Sequence, residues 1–144
     1  ILKKIGLFDE DFFAYEEDVD IALKLVNLGY QTLYIPKAFC YHLGGGTSNK
    51  MGNFRSRMDT KNWIYIIIKN YSASEFWNNF PSIFEERLRN LSRLIKNTIK
   101  AYGLKSIYKL PIDLLKTYGE VLIKLPKMFK KRKNLQKLVK SIKL

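Results

Sequence analysis

The apolar residues in the second half of the chain repeat at the spacing of an α-helix. The clearest run, with intervals of three or four positions, consists of Phe84, Leu88, Leu91, Ile95 and Ile99. Lysines and arginines fill much of the surface between them. Because residues three and four apart share one face of a helix, this pattern predicts long amphipathic helices after Asp59. Pro111 and Pro126 punctuate the next segment, so we expect a separate last helix that begins with Lys130.

The charge of the chain is divided unevenly. Residues 1–59 carry seven Lys and Arg against eight Asp and Glu, a net charge of −1, whereas residues 60–144 carry 19 against five, a net charge of +14. Such a surplus favours an anionic partner, either a lipid surface or a nucleic acid. We favour an anionic membrane surface, because the cations flank amphipathic helices and no nucleic-acid-binding motif is present. The alternatives are a solvated helical bundle and a nucleic-acid module with Tyr102, Tyr108 and Tyr118 as stacking platforms.

Length and composition permit one domain, or one domain with an appendage. The chain has 144 residues and is 47% hydrophobic, which suffices for a modest core. It begins with Ile1 rather than Met, so we expect that the sequence starts inside a larger protein. The single Cys40 excludes an internal disulfide. The longest strongly apolar run, residues 63–68, is far shorter than the roughly 20 residues that a membrane-spanning helix needs.

Acidic and aromatic residues are concentrated in the segment Phe12-Phe13-Ala14-Tyr15-Glu16-Glu17-Asp18-Val19-Asp20. Residues 19–28 have helical periodicity, with Asp20, Lys24 and Asn27 on the polar face and Gly29 as a left-handed C-terminal cap. Asp18 is therefore either the N-cap of this helix or a catalytic base whose proton affinity is raised by the aromatic neighbours. On a continuous helix Asp18 and Asp20 would point in nearly opposite directions, which favours one base over a carboxylate pair.

Two short β-prone runs, residues 31–35 and 38–41, precede a glycine-rich loop. The only histidine, His42, follows the second run, and the loop then continues with Gly44, Gly45, Gly46 and Thr47. The free N–H groups of such a loop can cradle phosphate, and a histidine at a strand end can bind a metal. An ordinary surface histidine is the alternative. The loop lacks the lysine of a P-loop and does not match the dinucleotide-binding fingerprint.

Taken together, these segments resemble the acceptor-side half of the family 2 glycosyltransferases, and most closely the rhamnosyltransferase-like enzymes of bacterial surface polysaccharide synthesis. The resemblance covers about residues 3–62 and lies in residues 6–24, 29–30, 36–38 and 42–48. It implies a GT-A fold. We therefore predict an α/β chain, in which residues 1–59 form the C-terminal, acceptor-side portion of a GT-A domain and residues 60–144 form a basic helical extension.

The resemblance also implies an activity. Members transfer a sugar from a nucleotide-diphosphate-sugar, with inversion and usually with Mg²⁺ or Mn²⁺, to a saccharide or a polyprenyl-linked acceptor. By position, Asp18 matches the general base, Glu17 and Asp20 match the acidic neighbours that shape the acceptor site, and His42 matches a metal-binding histidine. The residues near the diphosphate would be Gly44, Gly45, Gly46 and Thr47. An enzyme of this kind would lie in the cytoplasm, on the inner face of the cell membrane.

The chain departs from the family pattern in three respects. Lys24 stands where the family usually has arginine, which would remove bidentate hydrogen bonding to an anion. Lys61-Asn62 similarly replaces a common Arg-Asn pair. The nucleotide-binding βαβ half, with its own Asp-x-Asp metal motif, belongs upstream of the matched stretch and is not in this chain. We therefore expect these 144 residues alone to have no transferase activity.

Overall fold

The computed structural model of the chain describes residues 1–41 and 53–142, and these residues form an all-α structure. Helices make up 77% of them, and no strand occurs among them. The elements in chain order are α1 (Leu2–Ile5), α2 (Glu17–Asn27), α3 (Phe54–Asn70), α4 (Ala73–Tyr102), a 3₁₀ helix (Leu104–Tyr108) and α5 (Lys109–Ile142). The prediction of long helices in the basic half is confirmed.

The prediction of an α/β fold, with a portion of a GT-A domain in residues 1–59, is wrong. Both β-prone runs, residues 31–35 and 38–41, are irregular, and every residue from 31 to 41 is exposed. A turn between Pro36 and Lys37 separates them, and the Ala38 N–H donates to the carbonyl of Ile35 at 3.0 Å. A strand is stable only when a neighbouring strand pairs with its N–H and C=O groups. No described segment provides that partner.

Helix α3 lies at the centre of the structure. It packs against α5 along most of its length, and α2 and α4 also pack against it. The buried core consists of Phe12, Tyr65, Ile66, Val121 and Met128. The rings of Phe12 and Tyr65 meet edge to face, with centroids 6.0 Å apart. Each buried side chain of this size stabilises the fold by about 1.5–3 kcal/mol. The boundary predicted between residues 59 and 60 falls inside α3, so the acidic segment and the basic half share this core.

The inward side of α2 carries charged residues beside Val19 and Leu23, which pack against the core. Asp20 is completely buried and Lys24 is 9% exposed, whereas the apolar Val26 is 57% exposed. The expectation that Asp20 and Lys24 face solvent is wrong, because α3 supplies polar partners for this side of α2. The helix ends as predicted: Gly29 has φ 84°, and the N–H of Tyr30 donates to the carbonyl of Leu25 at 2.9 Å.

Helices α4 and α5 both contain proline. Helix α4 begins with a capping box, in which the Ser72 hydroxyl accepts from the N–H of Glu75 and the Glu75 carboxylate accepts from the N–H of Ser72. Pro126 lies inside α5, so the predicted break before Lys130 is wrong. An internal proline costs about 3 kcal/mol, and α5 offsets it by burying Val121 and Met128 on either side of it. No described helix is both long enough and apolar enough to cross a bilayer.

Candidate functional site

The loop before α2 has an unusual backbone. Phe13, Tyr15 and Glu16 all have left-handed φ angles, of 63°, 67° and 67° respectively. For a residue with a side chain this conformation costs roughly 1–2 kcal/mol, so it persists only when the surroundings impose it. We call residues 12–16 the acidic-aromatic loop. Its strain requires a specific restraint.

Asn62 of α3 provides that restraint. The Asn62 side-chain amide donates to the carbonyl oxygens of Phe12 at 3.0 Å, Ala14 at 2.8 Å and Tyr15 at 2.7 Å. Asn62 is completely buried, so water does not compete for these bonds. Three carbonyls of a short loop are therefore fixed by one side chain almost 50 positions away in sequence.

Asp18 lies directly after this loop. It is the second residue of α2 and is exposed, and its Oδ1 accepts from the N–H of Val19 at 2.8 Å. The N-cap residue is Glu16, so the N-cap interpretation of Asp18 is wrong. The Asp18 carboxylate instead faces solvent in the first turn, where the helix dipole favours its negative charge. A carboxylate in this place is open to an incoming substrate.

Asp20 lies on the opposite side of α2, as the spacing predicted. Its carboxylate contacts the Nζ of Lys69 at 2.8 Å and of Lys24 at 3.1 Å, and it accepts from the Asn70 amide at 2.9 Å. Glu17 is half-buried, and its Oε2 has no hydrogen-bond partner within residues 1–41 and 53–142. The predicted acceptor-site role of Glu17 and Asp20 stays a prediction. In this structure the two side chains do not converge with Asp18.

The predicted metal and phosphate residues cannot be placed. His42, Gly44, Gly45, Gly46 and Thr47 lie outside the described residues. Among the residues that are described, no group of three or more His, Cys, Asp or Glu side chains could hold a metal ion. The divalent metal therefore stays a prediction that depends on His42 and the glycine loop.

A pair of carboxylates that the sequence analysis did not identify lies next to the loop. The side chains of Glu16 and Asp59 are hydrogen-bonded to each other, and Asp59 also contacts Arg87 at 3.2 Å. Burial, together with the negative charges of Asp59 and Asp18, raises the pKa of Glu16 to about 7. Burial and the charge of Glu86 raise the pKa of Asp59 as well, against the effect of Arg87. Glu16 is therefore about half protonated near pH 7.

The acidic turn before the loop, residues 9–11, is surrounded by lysines instead of by other carboxylates. Asp11 contacts Lys124 at 2.6 Å, Lys127 at 2.7 Å and Lys131, and these lysines hold its pKa well below the usual range although burial raises it. Burial also raises the pKa of Asp9, but hydrogen bonds from Lys131 and Lys69 outweigh it and lower the pKa to about 2. These ion pairs tie the turn to α3 and α5, beside an open cleft of about 500 Å³.

The functional residues missed by the sequence analysis lie on α3. Asp59, Asn62 and Lys69 fix the loop and its carboxylates from positions 40 to 60 residues away in sequence. Helical periodicity does not single out any of them. The only sequence signal was the family resemblance, which extended to the pair Lys61-Asn62.

Comparison with known proteins gives no further assignment. No family model matches the sequence, and no curated protein or solved structure was found to match it.

Proposed function

We propose that this chain carries the acceptor side of an inverting glycosyltransferase, with Asp18 as the general base. The observation that supports this proposal most is the placement of Asp18. Its exposed carboxylate follows a strained loop that Asn62 holds by three hydrogen bonds. Backbone strain is often found at functional sites, and a base must be held in place to act on a bound substrate.

The proposed reaction needs one base. A sugar hydroxyl is a weak nucleophile at neutral pH, so Asp18 takes its proton as the oxygen attacks the anomeric carbon. The new carbon–oxygen bond forms on one face, the bond to the diphosphate breaks on the other, and the diphosphate leaves with the electron pair. A bound divalent metal would neutralise the charge that develops on the diphosphate.

The protonated Glu16 supports the same assignment. Because its pKa is raised to about 7, Glu16 is largely neutral below that pH. A neutral Glu16 places no second negative charge beside Asp18. A single displacement needs one base, and the proposal gives that role to the exposed Asp18 rather than to Glu16.

The donor site is a separate part of the proposal. We assign the metal to His42 and the diphosphate to the loop with Gly44, Gly45, Gly46 and Thr47 on the family resemblance alone. The nucleotide would be bound by the half that the resemblance places upstream. The natural protein that contains these residues would then transfer sugar to a saccharide or polyprenyl-linked acceptor, with Mg²⁺ or Mn²⁺, at the inner face of the cell membrane.

The test is sugar transfer by the natural protein that contains this sequence, compared between the wild type and Asp18→Asn. We expect the rate to fall about 10²–10⁴-fold, because asparagine cannot accept the proton, while nucleotide-sugar binding is retained. Glu10→Gln is the matched control, since Glu10 is another exposed carboxylate, located in the turn between Asp9 and Asp11. Unchanged transfer in Asp18→Asn would overturn the proposal and leave Asp18 as a residue that stabilises α2.

A further inference from the structure

An open apolar groove runs between α4 and α5. Its floor is formed by α3, through Trp63, Ile64 and Ile67, and its volume is about 320 Å³. The α4 wall contains Phe84, Leu88 and Leu91, which are 53%, 49% and 39% exposed. The α5 wall contains Leu114 and Tyr118. These α4 residues were predicted as an apolar face, and most of that face is left uncovered.

The apolar surface continues beyond the groove on both helices. On α4, Trp77 is 67% exposed, and its ring contacts Phe80, which in turn stacks on Phe84. On α5, Leu115 and Leu122 are 73% and 65% exposed and share the side of Tyr118, because they are three and four positions from it. Soluble monomers rarely expose a continuous apolar surface of this extent.

Cations without acidic partners accompany this surface. Arg93, Lys96 and Lys100 on α4 form no ion pair within the described part of the chain. The same holds for Lys133 and Lys137, near the end of α5. Lys124, Lys127 and Lys131, by contrast, are engaged by the acidic turn. Of these cations, Lys133 and Lys137 share the side of α5 that exposes Leu122, because they follow it by about three and four helical turns, whereas Arg93 lies on the side of α4 away from Leu91.

We propose that the faces of α4 and α5 around this groove dock on an anionic lipid bilayer. Exposed aromatic and leucine side chains enter the boundary of the hydrocarbon, while lysine and arginine side chains reach the anionic headgroups. A nucleic acid would use the cations but not the leucines. This inference is independent of the proposed transferase function.

The test is flotation of the 144-residue chain with lipid vesicles. Vesicles of phosphatidylcholine are compared with vesicles that also contain phosphatidylglycerol, at low and high salt. We expect binding only to the phosphatidylglycerol vesicles and weaker binding at high salt, because free cations and headgroups attract each other through a screened interaction. The absence of binding to either vesicle would overturn the proposal.

Two variants separate the apolar contribution from the charge. The double variant Leu88→Gln, Leu122→Gln should weaken binding about tenfold or more, since both leucines would enter the membrane. Its control is Val26→Gln, an equally exposed apolar residue on α2. The double variant Lys133→Ala, Lys137→Ala should weaken binding about fivefold per charge, with the exposed Lys37→Ala as its control. Circular dichroism verifies that each variant is folded.

Three results would contradict the proposal even if vesicles bind. If the leucine variant binds vesicles as the wild type does, and RNA competes fully with the vesicles, the surface is a polyanion site. If the chain forms a dimer that Leu88→Gln dissociates, and vesicles do not compete with the dimer, a second copy covers the groove. If Lys37→Ala loses as much binding per charge as the lysines of α5, the whole positive charge is responsible rather than this face.

Discussion

The carboxylates that flank the acidic-aromatic loop and the pair that includes Glu16 within it have opposite surroundings. Asp9, Asp11 and the buried Asp20 face lysines from three helices. Glu16 and Asp59 face each other, with Arg87 as the main cation nearby. The first group is a charged clamp that fastens the segment to α3 and α5. In the second group, Glu16 is about half protonated at neutral pH. Glu16 therefore serves a different purpose from Asp11 and Asp20, acidic residues on either side of it in the sequence.

The largest effect is expected from breaking the clamp at Lys69. Its Nζ contacts both Asp9 and Asp20, and its side chain is 2% exposed. Lys69→Met should lower the free energy of unfolding by about 3–5 kcal/mol, because two buried carboxylates lose their main partner. Urea denaturation measures this change. Lys127→Met is the matched control, since Lys127 is 58% exposed and one of three lysines at Asp11, and should cost under about 1 kcal/mol.

A loss of less than 1 kcal/mol in Lys69→Met would show that the first group does not act as a clamp.

The next largest effect is expected at Asn62, whose side chain holds the acidic-aromatic loop. Asn62→Ala removes three hydrogen bonds to loop carbonyls and leaves the strained backbone without its restraint, so we expect a loss of about 2–3 kcal/mol. Limited proteolysis should also cut within residues 12–16. The control is Asn79→Ala, because Asn79 is exposed and donates only to the carbonyl of Glu75. Equal stability of the two variants would mean that the loop keeps its shape without Asn62.

Acid should release the clamp. The pKa of Asp9 is about 2 in the folded protein and 3.8 in the unfolded chain, so the unfolded chain binds the proton first as the pH falls. Stability that is present above about pH 4 is therefore lost as the pH falls to about 2, by about 2 kcal/mol for Asp9. Urea denaturation across this range measures the loss. Asp9→Asn should flatten the curve there, and an unchanged acid limb would exclude Asp9 as its source.

The smallest effect comes from the second group and has the opposite sign. The pKa of Glu16 is raised from 4.5 to about 7, so the folded protein keeps a proton that the unfolded chain has lost. Stability should therefore fall as the pH rises from 4.5 to 7, on the order of 1 kcal/mol because solvent partly screens the group. Glu16→Gln and Asp59→Asn should each remove this slope in urea denaturation. If the slope persists in both variants, other titratable groups cause it.

Local signals were sufficient for part of the structure. The 3.6-residue periodicity identified α2 and the helices of the basic half, and Gly29 was identified as the end of α2, because these features depend on neighbouring residues. The side of α2 that faces inward was not predictable in this way. It is decided by Lys69 and Asn70, which lie 49 and 50 positions from Asp20.

Non-local partners also explain the other errors. The runs 31–35 and 38–41 have the composition of strands, but a strand depends on a second segment, which no local pattern can guarantee. The carboxylate pair is equally non-local, since Asp59 lies 43 positions after Glu16 and only the fold brings them together. The sequence showed that Asp18 closely follows a run of aromatic residues. The restraint that Asn62 exerts on the loop was not.

The uncovered segment from residue 31 to residue 41 has a consequence for solubility. It exposes Leu33, Tyr34, Phe39 and Tyr41 by 77% to 97% of their surface. Unpaired extended segments of this composition can join between molecules and start aggregation. Pro36, which has no N–H, and the charged Lys37 interrupt the segment at its middle, as gatekeeper residues do. With a net charge of +13 on the chain, repulsion between molecules adds to this protection, and it weakens as salt is added.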